Sequence, residues 1–140
     1  MNNKAPLTLM EQLTMILVFA LAAAICLRMF ALANTISSNV AEQEQAVLRV
    51  QNTAEALKMF RGDFDMLAES WGGKRTEEGW IIDYDKNWEE TVEERPFYTV
   101  EAVKLDDEVP LLGSASVTAN NRNGKQLFQI VVSWQVASNE

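Results

Sequence analysis

Carboxylates dominate the side chains that could do chemistry in this chain. Glu77-Glu78, Glu89-Glu90 with Glu93-Glu94, and Asp106-Asp107-Glu108 form acidic clusters. Oxygen ligands of this kind suit calcium, and Asp106, Asp107 and Glu108 come nearest to a calcium loop. No EF-hand spacing is present, so these runs read first as solvated faces and no metal site is assigned. Paired carboxylates can also cleave glycosides, but nothing indicates a substrate cleft. Histidine is absent, which removes the commonest general base and the commonest zinc ligand. No Gly-rich phosphate loop or serine-nucleophile motif occurs. The expectation is a protein that is not an enzyme and carries no cofactor. Trp71 and Trp88 lie beside turns, where they could help to form a partner surface, whereas Trp134 falls in a core pattern. A carboxylate outside these clusters, Glu11, stands alone in the apolar run Leu7-Thr8-Leu9-Met10-Glu11-Gln12-Leu13-Thr14-Met15-Ile16-Leu17. An ionised carboxylate in hydrocarbon is costly unless it is paired. The chemistry that Glu11 suggests is therefore ion pairing.

The 140 residues suit one small domain plus an anchor. From Ser37 onward, ten Lys or Arg face nineteen Asp or Glu. A surface so acidic does not indicate nucleic acid, which needs a basic patch. The single Cys26 lies inside the apolar segment and can form neither an intramolecular disulfide nor a metal cluster. It reads as a packing residue.

Sixteen residues from Gln12 to Leu27 carry no charge. A spanning helix needs about 20 apolar residues. The segment 7–33 is long enough provided Glu11 is neutralised and Arg28 reaches the interface. Lys4 precedes it and Glu42 and Glu44 follow, which by the positive-inside rule predicts a single-pass membrane protein with a cytoplasmic N-terminus and an extracytoplasmic C-terminal domain. A cleaved secretory signal is the rival reading, with Ala31-Leu32-Ala33 as its small-x-small site. Glu11 and Arg28 are out of place in such a signal, and helical patterning continues through the site.

No Gly or Pro occurs over the 55 residues from Leu7 to Arg61. This predicts one helix of about 80 Å. Past the membrane segment, Ile36, Val40, Gln43, Val47, Val50, Ala54 and Leu57 recur at spacings of three and four, as one stripe. Glu42, Glu44, Arg49, Gln51, Glu55 and Lys58 are assigned to the opposite face. Gly62 is the expected stop. Asp63 to Ser70 is expected to add one or two turns with Phe64 and Leu67 inward, before Gly72-Gly73 breaks the chain.

Strands are predicted at Trp80–Tyr84, at Phe97–Leu105 after Pro96, at Ser114–Ala119, and from Lys125 onward. Trp88 is expected to begin a returning strand. Ala115, Val117 and Ala119 share one face. In the last strand Phe128, Ile130, Val132, Trp134 and Val136 share another, and Asn120 to Gly124 supplies the turn. Helix stripe and strand face each need a cover, and each is expected to cover the other. The fold class is α+β, a long N-terminal helix whose second half packs on a small antiparallel sheet. The organisation read is a leader-like segment 1–6, a transmembrane half of the helix 7–33, an amphipathic half 34–61, and a strand-rich part 62–140.

Leu7, Thr8, Leu9, Met10 and Glu11 follow a short polar stretch that ends at Pro6. This order resembles the N-terminus of type IV pilins and type II secretion pseudopilins. In that family a leader is removed before a hydrophobic residue, and a Glu stands at the fifth position of the mature chain. Pro6 takes the place of the family's Gly. The resemblance implies processing between Pro6 and Leu7 by a prepilin peptidase, and N-methylation of Leu7. It also implies assembly into a surface filament through pairing of Glu11 with the Leu7 amine of a neighbour. The partners it implies are other pilin-like subunits and an assembly platform with its ATPase. The alternative is a single-pass membrane protein that keeps its leader and binds a partner through a non-polymerising outer domain.

Overall fold

The computed structural model describes residues 4–137. Positions 1–3 of the leader-like segment and 138–140 lie outside the described residues. Tertiary contacts divide the chain into Met1–Ala41 and Glu42–Glu140.

Helix α1 runs from Lys4 to Met59, 56 residues. Pro6 is its third residue, where the missing N–H is among those with no intrahelical acceptor, so no bond is lost. The helix ends in a Schellman arrangement. Gly62 N donates to Leu57 O at 2.9 Å and Arg61 N to Lys58 O at 3.1 Å. The left-handed residue that closes it is Arg61 (φ 51°), followed by Gly62 (φ 77°). The sequence points to Gly62 as the stop, and the reversal begins one residue earlier. Helix α2, Phe64–Trp71, is capped by Asp63, whose Oδ1 accepts from the amides of Asp65 and Met66 at 3.1 Å each. A cap of this kind contributes about 1 kcal/mol. Phe64 and Leu67 are buried, and Gly72 (φ 89°) ends the helix.

Five strands follow: β1 Lys74–Arg75, β2 Gly79–Tyr84, β3 Tyr98–Leu105, β4 Leu112–Asn121 and β5 Gln126–Gln135. They form one antiparallel meander in chain order. The β4–β5 turn is organised by Asn121, whose Oδ1 accepts from Asn123 N and Lys125 N, with Gly124 in the left-handed region. The turn is tighter than the sequence suggests, because Asn120 and Asn121 still belong to β4.

Register puts Trp80, Ile82 and Tyr84, then Val100 and Ala102, then Ala115, Val117 and Ala119, then Val132 and Trp134 on one face. All are buried, and they form one core with Ala46, Val50, Ala54 and Leu57 of α1 and Phe64 and Leu67 of α2. Each large apolar side chain removed from water here contributes about 1.5–3 kcal/mol. The α+β arrangement is therefore the one the sequence patterning implies. The other face of the sheet mixes polar residues with Ile81, Val103 and Val131 and carries its own hydrogen bonds. Thr99 Oγ1 donates to Asp83 at 3.1 Å, and Gln129 Nε2 donates to Ser116 Oγ at 2.6 Å.

Four details of the sequence reading are corrected. The buried stripe of α1 begins at Ala46 and includes Thr53, while Ile36, Val40 and Gln43 are exposed. Arg49, assigned to the solvent face, is half-buried, because its guanidinium turns over the Tyr84 ring and donates from Nη2 to Trp88 O at 3.0 Å. Trp88 begins no strand. It has φ 61°, and only an isolated Tyr84–Glu90 bridge forms beside it. Val136, grouped with the inner face of β5, is exposed.

Candidate functional site in the exposed apolar helix

The apolar part of α1 is long and apolar enough to cross a membrane, and none of its most apolar window is buried. A membrane span and a signal sequence share this property. Leu7, Leu9, Met10, Leu13, Ile16, Leu17 and Phe19 are exposed on all sides of the helix. Such a surface is stable in lipid or against other apolar helices, where every backbone polar group must bond internally. The threonines here meet the same requirement. Thr8 Oγ1 donates to Lys4 O at 2.9 Å, Thr14 Oγ1 to Met10 O at 2.8 Å, and Thr35 Oγ1 to Ala31 O at 3.1 Å.

Among the described residues Glu11 has no such partner. Among the described residues the one ion pair is Arg75–Asp65, at 3.4 Å. Lys4 is seven residues upstream of Glu11 on the same helix, which is about 10 Å along the axis. Arg28, seventeen residues downstream, is about 25 Å away. Leu7 and Glu11, four apart, share one helix face and are both exposed. The Pro6–Leu7 bond lies inside the first turns of α1 rather than in an extended segment.

The other sequence-level candidates are dispersed. Among the described residues no group of three or more His, Cys, Asp or Glu converges to hold a metal ion. Asp107 instead accepts a hydrogen bond from Ser114 Oγ. Cys26 is exposed on the apolar helix. Trp134 is buried, as its strand face predicts, and Trp80 is buried with Nε1 donating to Gly72 O at 2.8 Å. Trp71 and Trp88 come to one cavity, together with Arg49 and Tyr84. Sequence reasoning placed both tryptophans near turns but missed Arg49. Its only signal was a basic residue next to the apolar stripe.

No protein-family model, curated protein or solved structure matches this chain.

Proposed function

We propose that the chain is a pilin-like or pseudopilin-like structural subunit of a type II secretion or type IV pilus-type filament. Anchored in the membrane by 7–33, it would be drawn from there into an assembly in which apolar helices pack together and acidic domains face outward. The observation that carries the reading is the unpaired Glu11 on a fully exposed apolar helix, four residues after Leu7 and joined in one chain to an α+β domain. Glu11 would pair with the Leu7 amine of a neighbouring subunit once the leader is removed. A buried pair of this kind fixes register more than it adds stability. The partners would be other pilin-like subunits, the assembly platform and ATPase, and a prepilin peptidase, and Leu7 would be N-methylated.

Pro6 favours a second reading. A proline stands in the first helical turn where the family has glycine. A chain that retains its leader would act as a single-pass membrane protein with a non-polymerising outer domain, and Glu11 would pair with a basic group of a partner. Intact-mass measurement of the protein taken from its native membrane separates the two. A chain starting at Leu7, with or without one added methyl group, agrees with the filament subunit. A chain starting at Met1 selects the retained anchor.

A further inference from the structure

Arg49 and Asn52 on α1, Trp71 at the end of α2, Tyr84 on β2, and Trp88 and Glu90 of the following loop line a cavity of about 360 Å³. Its volume is in the range of small-molecule sites, roughly 300–1,000 Å³. Two opposite charges sit in it, and each is held by backbone rather than by the other. Arg49 Nη2 donates to Trp88 O at 3.0 Å, and Glu90 Oε1 accepts from Gly73 N at 3.0 Å. Arg49 Nε is buried without a hydrogen-bond partner, and the guanidinium lies over the Tyr84 ring, 5.2 Å from its centroid.

The backbone beside the cavity is strained. Trp88 holds φ 61°, a conformation that a bulky residue rarely adopts and that tends to mark functional sites. That conformation is accompanied by a stack of Trp88 on Tyr98, with ring centroids 3.9 Å apart, and by the carbonyl contact to Arg49. Gly72 makes room for Glu90, since a Cβ on Gly72 would lie 2.7 Å from Glu90 Oε2.

The charge pattern selects the ligand. An anion would meet Glu90 and its neighbour Glu89, and a cation would meet the guanidinium. An apolar molecule would cover the half-buried guanidinium and the exposed Glu90 carboxylate without pairing either with an opposite charge. A small molecule with an ammonium and a carboxylate satisfies both groups, while Asn52 offers a donor and an acceptor and exposed Trp71 offers an apolar wall. We propose that this cavity binds a free α-amino acid, with its carboxylate on Arg49 and its ammonium on Glu90. The proposal does not depend on whether the chain polymerises.

The test uses the full chain in detergent and isothermal titration with each of the common α-amino acids. At least one should bind saturably. For that amino acid, the α-amide and the N-acetyl derivative should each bind at least about tenfold more weakly, because each loses one charge-assisted contact. These comparisons need no altered protein. Arg49→Gln should reproduce the loss seen with the amide, and Glu90→Gln the loss seen with the N-acetyl form, while Glu94→Gln, outside the cavity, should bind as the unaltered chain does. The proposal is overturned if no amino acid binds, if the blocked derivatives bind as well as the parent, or if a neutral disaccharide binds where amino acids do not.

Discussion

Arg49 joins helix α1 to the loop after β2, through the Tyr84 ring and the Trp88 carbonyl. Burial raises the Tyr84 phenol above its ordinary pKa of 10.0, the Arg49 guanidinium pulls it back down, and the Glu90 carboxylate adds to the rise. Burial likewise raises Tyr98, with Glu42 adding to it. The native state thus keeps these protons after the unfolded chain has lost its own. Their contribution to stability is complete below pH 10.0 and is lost as pH rises through the folded values. Urea midpoints measured from neutral pH upward should hold and then fall above that point. Tyr84→Phe should fall less steeply, because one of the two titrations is gone. Parallel curves for the two proteins would show that Tyr84 titrates alike in both states. The position of Arg49 was hidden in the sequence, since spacing alone puts it beside the stripe. Its burial depends on Tyr84 and Trp88, which are far away in the chain.

At the scale of elements, most of the architecture was legible because its signals are local. The absence of Gly and Pro from Leu7 to Arg61, the short helical stretch with Phe64 and Leu67 inward, and the alternation through β4 and β5 each state their own structure. The features that were not legible depend on tertiary context. Helix α1 continues the same apolar spacing through Ile36 and Val40, but burial begins only at Ala46, and periodicity cannot say which turns of a stripe find a cover. Trp88 looked like the start of a strand because aromatic residues favour strands, yet the Asp85 carboxylate accepts from Asn87 N and Glu89 N and folds that segment into a turn. The phase of the stripe has a direct test in Val50, fully buried, and Glu55, exposed. Val50→Asp places an unpaired charge in the core and should cost several kcal/mol, whereas Glu55→Gln should change stability by less than about 0.5 kcal/mol. Equal shifts in Tm would contradict the assignment of the buried face.

For the whole molecule, the apolar helix and the α+β domain make different demands. The first needs lipid or other helices, while the domain from Glu42 onward holds its own core. A fragment starting at Ser37 should accordingly be soluble and show cooperative unfolding. An unfolded fragment, under conditions where the full chain is folded, would contradict the division. The candidate site was legible as far as Leu7 and Glu11, because a lone carboxylate among apolar residues is visible in any reading of the chain. Its partner was not legible, since none of the described residues supplies one. The central claim is that this partner belongs to another subunit. Cysteine cross-linking between copies, or co-purification with pilin-like subunits, normalised to membrane-inserted protein, should be compared for the unaltered chain, Glu11→Asp and Glu11→Gln. The account predicts normal insertion for all three. Assembly should be strongly impaired in Glu11→Gln, and intermediate in Glu11→Asp, whose charge remains but reaches less far. Assembly by Glu11→Gln at the level of the unaltered chain would contradict it.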